Sequence, residues 1–258
     1  MNSSNKQSNQ EFEPWRIDRK NYSEIAKIIT LIQNNSDMHC SSIGQFDLGE
    51  IKSLTIGITG AAGVGKSTFI NKFTEIAIQD DKHVAILAID PTSKYSLGTF
   101  LGDRLCFNAD FPEAGVFIRS IASSIEISSV PANLDIIVKF LKIVGYNLII
   151  VETLGVGQSD VEIKNYVDCV IVIPSYESNN WKQQFKLSMH DIADFYFVNK
   201  RDTATANATY NSLKNYLSIK SGNYVFDEFI IKGSAKSGQG IKEIYTRIIM
   251  NTESISDE

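Results

Sequence analysis

"GITGAAGVGKST", residues 57–68, decides how this chain is read. It carries G-x-x-x-x-G-K-[ST], with Gly60, Gly65, Lys66 and Ser67 at the fixed positions and Gly63 between them. The β-branched run "SLTIGIT" (53–59) precedes it, and a helical pattern over 66–78 follows. Glycines let successive backbone N–H groups converge on phosphate oxygens, and the helix behind them aims its positive end at the same anion. Lys66 can reach terminal phosphates, Ser67 offers a hydroxyl to Mg²⁺, and Thr68 shares the helix start. The competing reading is a chance glycine-rich turn. Average residue usage yields the pattern by accident in roughly 1% of chains this long, and the strand–loop–helix context lowers that further.

Working outward, "HVAILAID" (83–90), "NLIIVE" (147–152), "VDCVIVIP" (167–174), "DFYFVN" (194–199) and "DEFIIKGS" (227–234) are further short apolar runs, and "GVFIRS" (115–120) is a candidate for one more strand. Helical patterns at 131–144, 181–193, 203–218 and 238–250 lie between most of them. Continuous apolar runs mark strands buried on both faces, and strand alternating with helix means parallel pairing with right-handed crossovers. The expected class is α/β: a P-loop NTPase with a mostly parallel central sheet, helices on both faces and a short N-terminal helical lead-in. Ligands of such sheets bind at the carboxyl ends of the strands.

Four segments follow. Residues 1–20, rich in Asn, Ser and Gln, are expected to be disordered. Residues 21–48 form a helical lead-in, with Ile25, Ile28, Ile29 and Ile32 on one side of a helix over 22–35. The P-loop domain spans 49–250, and 251–258 is a flexible acidic tail. The 258 residues, 43% hydrophobic and 21% charged, suffice for one full core. A net charge of −5 argues against nucleic acid as the main partner. Cys40, Cys106 and Cys169 are scattered, which speaks against a disulfide framework or a zinc site and fits a reducing, cytoplasmic setting. The polar start is not a secretory signal, and no apolar run is long enough for a membrane helix.

Three carboxylates fall where the sheet would deliver them. Asp90 ends "VAILAID", Asp103 lies in "SLGTFLGDR", and Glu152 ends "NLIIVE". Mg²⁺ held with a nucleotide keeps several waters and takes one or two carboxylates directly, so some of these act through water. The plainer alternatives are a turn residue before Pro91, a solvated loop charge and a strand-end charge. Gly155, three residues after Glu152, can bring its N–H to the γ-phosphate and couple the turn to GTP versus GDP.

"FYFVNKRD" ends a later strand with Asn199, Lys200 and Asp202. The run N-K-x-D suits guanine. Asp202 can accept from both N1–H and the exocyclic amine, Asn199 can bond the purine's polar edge, and the Lys200 stem can lie on the ring. The alternative is a helix N-terminus that Asp202 caps. "IKGSAKSGQGI" follows the next strand, where Ser234 and Ala235 can place a backbone N–H at guanine O6.

With these motifs in order, the chain resembles the MeaB/ArgK family of GTPases over residues 22–250. The resemblance rests on "GITGAAGVGKSTFI", "VAILAIDPTS", "LGDR", "FIRSIASS", "GYNLIIVETLGVGQSD", "IADFYFVNKRD" and "SAKSGQGI", and "VETLGVGQSD" is the most family-specific. It implies a GTPase that assists an adenosylcobalamin-dependent acyl-CoA mutase of the methylmalonyl-CoA mutase type, gating cofactor loading and protecting the enzyme. It implies hydrolysis that is slow alone and stimulated by the mutase. Lys66, Ser67, Asp90, Asp103 and Glu152 carry over as phosphate and magnesium residues, and Asn199, Lys200 and Asp202 as guanine residues. The older family label, a kinase or ATPase of lysine/arginine/ornithine transport, finds no H-R-D or D-F-G run to support a protein kinase.

The chain also departs from the family. In "SSIEISSV" (123–130), Ile125, Ser128 and Ser129 replace expected glycines, so the loop takes another path if those glycines need positive φ. "PSYESNNWKQQ" (174–184) replaces P-G-x-G-D-E-x-Q and is about two residues longer, with Asn180 and Trp181 where acids are expected; Gln183 still fits. Family members dimerise through a helical C-terminal arm, and this chain stops soon after its last helical pattern, so a homodimer is an open expectation.

For chemistry, Lys66 and Mg²⁺ would neutralise β/γ charge, while Glu152 and the Gly155 turn sense the γ-phosphate. Gln158 would orient water, or serve as a structural Gln of the turn. Arg104 and Arg119 are the candidate catalytic arginines, with a charge supplied by a partner as the alternative. Two rivals remain: a metallochaperone GTPase using His39 and Cys40, and a scaffold that holds GTP with little hydrolysis. Lone His83 and His190 read as surface or packed residues, and Trp181 as a core aromatic or a partner contact.

Overall fold

The computed structural model describes residues 12–91, 107–123, 130–131, 133–155, 158–174, 189–201, 203–221 and 228–255. α1 (Tyr22–Gln33) and α2 (Asp37–Gln45) lead into β1 (Leu54–Thr59), α3 (Lys66–Gln79), β2 (Val84–Pro91) and β3 (Phe117–Ser123). Then come α4 (Leu134–Val144), β4 (Leu148–Glu152), a 3₁₀ segment (Gln158–Asn165) and β5 (Cys169–Val172). α5 (Met189–Ile192), β6 (Phe195–Val198), α6 (Ala204–Ser221), β7 (Ile230–Lys232) and α7 (Ile241–Ile255) complete the order.

The strands form one seven-stranded sheet, ordered β3-β2-β4-β1-β5-β6-β7. All its described pairings are parallel. Strand period decides the layers. Ala85, Leu87, Ile89, Ile149, Val151, Val170 and Val172 face a core that also holds apolar residues of α1, α2, α4 and α6. Ile56, Ile58, Ile86, Leu148, Ile150 and Ile171 face the other core, with Phe69 and Phe73 of α3 and Ile244 and Ile248 of α7. Each buried Ile or Phe contributes about 1.5–3 kcal/mol by leaving water, so a strand apolar on both faces is held from both sides. This is the α/β P-loop NTPase architecture that the alternation of runs predicts.

The chain works outward from β1 to β3 at one edge, returns with β4, then crosses to β5, β6 and β7. The reversal beside β1 opens a crevice at the carboxyl ends, where ligands of doubly wound sheets sit.

Three local differences have physical causes. α2 escapes a periodicity reading because "DMHCSSIGQ" buries only His39 and Ile43. The segment expected to be disordered is packed from residue 12 on: Phe12 and Ile17 pack on the core, Trp15 stacks on Phe46 at 5.5 Å, and the Tyr146 hydroxyl donates to the Arg19 carbonyl at 3.0 Å. A few aromatics among polar residues suffice for this, which composition alone does not reveal. α7 runs to Ile255, through the start of the segment expected to be a flexible tail. Of the helix expected over 181–193, α5 is the described part.

Candidate nucleotide site

β1 ends at Thr59, and the chain turns through Gly60, Gly63 and Gly65, all at positive φ, before α3 begins at Lys66. Gly65 is the N-cap, at φ +100°. A Cβ there would stand 2.5 Å from Asn199 Nδ2, so glycine is demanded by a neighbour as well as by the backbone. The Lys66 side chain is buried in the curl of the loop, where Nζ donates to the carbonyls of Gly60 at 2.9 Å and Ala61 at 3.4 Å. Engaging a phosphate therefore exchanges carbonyl oxygens for phosphate oxygens. Ser67 and Thr68 lie on the first turn of α3, with Thr68 exposed.

Glu152 closes β4 beside the loop, in register with Ile58 of β1 and Ala88 of β2. The Ser67 hydroxyl donates to Glu152 Oε1 at 2.9 Å. Asp90 lies two residues beyond Ala88 on β2 and is fully buried. A hydroxyl on the first turn of α3 and two carboxylates at the ends of neighbouring strands are hard oxygen donors, the chemistry Mg²⁺ takes. Asp103 falls outside the described residues.

After Glu152 the chain stays against the phosphate loop. Thr153 N–H donates to the Ile58 carbonyl at 3.0 Å, and the Thr153 hydroxyl donates to the Thr59 hydroxyl, also at 3.0 Å. Gly155 then packs so closely that a Cβ would run into the Gly60 carbonyl and stand 2.8 Å from Lys66 Nζ. Its φ of +77° also favours glycine. The turn expected to follow the γ-phosphate thus touches the lysine expected to bind it. Gln158 opens the 3₁₀ segment that follows; its side chain falls outside the described residues.

The base motif is tied to the same loop by one side chain. Asn199 Nδ2 donates to the Val64 carbonyl at 2.8 Å, while Oδ1 accepts from the N–H of Ala235 and of Lys200, each at 2.8 Å. Phosphate loop, N-K-x-D turn and S-A-K loop are therefore joined through Asn199. Lys200 adopts φ +58° to make the turn. Asp202 lies outside the described residues, but the capping role that the competing reading gave it is filled by Thr203, whose hydroxyl accepts from Ala206 N at 3.2 Å. Ser234 N–H donates to the Gln239 carbonyl at 2.9 Å and Ala235 N–H to Asn199, so both are engaged inside the protein. Short loops satisfy their own buried donors, and sequence does not show which.

Arg119 does not join the site. It lies mid-strand on β3, the sheet edge three strands from β1, and its Nη2 donates to Thr30 Oγ1 of α1 at 2.7 Å. Arg104 lies outside the described residues, as do Ile125, Ser128, Ser129, Asn180, Trp181 and Gln183. His39 Nδ1 pairs with the Ser36 hydroxyl at 2.8 Å and its ring lies 4.5 Å from Phe12, a packed histidine whose pKa burial lowers. Among the described residues no group of three or more His, Cys, Asp or Glu could hold a metal on its own. His83 is exposed. No described helix is long and apolar enough to cross a membrane. Sequence reading missed the Thr59–Thr153 pair and the Thr203 cap. A threonine three residues before an apolar-periodic segment's buried Ala206 was the available signal for the cap; nothing flagged the pair.

A parallel sheet with a glycine loop feeding a helix, a lysine curled within the loop and an Asn199 staple from an N-K-x-D turn define a P-loop GTPase. The chain belongs to the family described as methylmalonyl Co-A mutase-associated GTPase MeaB, whose profile matches residues 25–258. It is similar to GTPase ArgK of Escherichia coli, with 31% identity over 239 residues, 87% of this chain and 70% of that one. It is also similar to part of a fused isobutyryl-CoA mutase of Nocardia farcinica, with 32% identity over 180 residues, 68% of this chain and 17% of that one. Among solved structures, one described as an LAO/AO transport system kinase matches with a TM-score of 0.62 at 26% identity, covering 93% of this chain and 73% of that one.

Proposed function

We propose that this GTPase assists a cobalamin-dependent acyl-CoA mutase, of the methylmalonyl-CoA mutase type, in cofactor loading or protection. The observation that carries the reading is the fused relative, in which a segment similar to this chain occupies 17% of a polypeptide described as an isobutyryl-CoA mutase. Fusion keeps such a segment beside a mutase in one polypeptide, and the family description names an association of the same kind.

In this reading Gly60, Gly63, Gly65 and Thr68 frame the phosphates and Lys66 turns from its carbonyls to the β/γ oxygens. Ser67, Asp90, Asp103 and Glu152 would hold Mg²⁺, some through water, and the ion supplies charge neutralisation on the transferring phosphoryl group. Glu152 and Gly155 register the γ-phosphate, and Gln158 orients water. Asn199, Lys200 and Asp202 read guanine, and Asn199 holds the loop of Ser234 and Ala235 beside it. Arg119 stands away from the site, on the sheet edge, and hydrolysis is expected to be slow until a partner contributes charge. The test is GTP turnover by the purified chain with and without a cobalamin-dependent mutase, with ATP as control. Slow GTP hydrolysis that rises many-fold with the mutase is expected. Absence of both stimulation and complex removes the mutase and leaves the GTPase.

A further inference from the structure

The β1–β4 ladder ends at the pair Ile58 and Glu152. One main-chain bond follows, from Thr153 N–H to the Ile58 carbonyl, and past it the two chains part. Thr59 gives its carbonyl to Ile173 N–H of the opposite neighbour, at 2.8 Å. What joins Thr59 to the β4 side is a side-chain bond, the Thr153 hydroxyl to the Thr59 hydroxyl at 3.0 Å, with both residues buried. One residue further along each chain begins the machinery: Gly60 opens the phosphate loop, and Leu154 leads to Gly155, which returns to touch Gly60 and Lys66.

We infer that the Thr153–Thr59 hydroxyl bond is a positioning element that sets the Glu152–Gly155 turn against the phosphate loop, and that its effect falls on the γ-phosphate and spares the diphosphate. This rests on the nucleotide reading proposed above. The physical argument is one of lever position. The glycine loop is anchored independently by α3 and by Asn199 at Val64, so the groups that would cradle the inner phosphates stay in place without the threonine pair. The turn has a different anchorage. Glu152 meets Ser67 at 2.9 Å, and the next fixed points are the Ile58–Thr153 main-chain bond and the hydroxyl pair. A buried hydroxyl that loses its partner also carries a desolvation cost, which the turn relieves by moving. Valine is nearly isosteric with threonine and keeps the β-branch that suits a strand end, so it removes the bond with little change in packing.

The experiment compares the wild-type chain with Thr153→Val, Thr153→Ser and Thr59→Val. Calorimetric titrations use GDP and a non-hydrolysable GTP analogue, each with Mg²⁺, and single-turnover GTP hydrolysis is measured beside them. Both valine variants should bind GDP within about twofold of wild type, bind the GTP analogue about tenfold more weakly and hydrolyse GTP about tenfold more slowly, the effect of one hydrogen bond. Thr153→Ser keeps the hydroxyl and should restore both properties to within about threefold. Parallel weakening of GDP and analogue would make the pair a general structural bond and overturn the inference. So would unchanged analogue binding and turnover in both valine variants, or a serine variant as impaired as valine. A wild-type chain that binds no guanine nucleotide would fail the underlying reading itself, a result distinct from all of these.

Discussion

The two ends of the candidate site are fastened to the same loop by different means. At the base end a single amide, Asn199, makes three hydrogen bonds that join Val64, Lys200 and Ala235. At the phosphate end the fastening is distributed: a sheet ladder, the Ser67–Glu152 bond, the threonine pair and the close contact of Gly155 with Gly60 and Lys66. A junction concentrated in one side chain fails at one substitution, and failure there reaches every element it joins. A distributed junction degrades step by step, and each member can be specialised for one event. The comparison also explains why Gly65 has no freedom: its missing Cβ is what lets the Asn199 amide approach the loop.

The largest effect should therefore follow Asn199→Ala. Three bonds are lost, and the Ala235 N–H and Val64 carbonyl are left without that partner in a partly buried place. Leaving such groups unpaired costs about 1–3 kcal/mol each, so affinity for GDP and for a GTP analogue should fall together by roughly 100-fold or more. Titration of both nucleotides checks this. If the loss were confined to the triphosphate, the concentrated-versus-distributed contrast would be wrong.

Ser67→Ala should do less and do it selectively. It removes the Ser67–Glu152 bond and one expected Mg²⁺ donor while leaving the ladder and the threonine pair in place. GTP turnover at millimolar Mg²⁺ should drop roughly 10- to 100-fold, with thermal stability lowered by no more than about 1 kcal/mol. Equal losses at high and low Mg²⁺ would show that the serine serves only the hydrogen bond.

The same contrast governs what could be read from sequence. Six strands were legible because burial leaves continuous runs such as "VAILAID" and "NLIIVE", while β3, a partly buried edge strand, was legible only as an optional seventh, and the phosphate loop was legible because its chemistry forces glycines, a lysine and a hydroxyl at fixed spacing. The location of Glu152 beside Ser67 followed from reading it as the last residue of a strand. Asn199 was legible as a guanine residue, but its role as a staple was not, since its partners Val64 and Ala235 lie 135 and 36 residues away. The ordered residues from 12 on depend on pairs such as Trp15 with Phe46, contacts made by folding that no local window contains. Arg119 misled for the same reason. A lone arginine in "FIRS" is equally suited to a catalytic site or a sheet edge, and only strand order separates the two.

Arg119→Met should accordingly have the smallest effect on chemistry. The guanidinium sits on β3, with β2 and β4 between it and β1, and it is spent on Thr30 of α1. Methionine keeps the apolar stem beside the cavity of about 490 Å³ lined by Tyr22, Phe107, Pro112 and Phe117, and removes the bond to α1. The cost is about 1 kcal/mol, or a melting temperature lower by roughly 2–4 °C for a domain of this size. GTP turnover, with and without a stimulating partner, should stay within about twofold, because no group of the site changes its surroundings and distant sites act independently. A hundredfold loss of turnover in a variant that melts normally would bring Arg119 into the chemistry after all, by a motion that carries the sheet edge to the phosphate loop. The unchanged rate instead leaves Arg104 or a partner as the source of the catalytic positive charge.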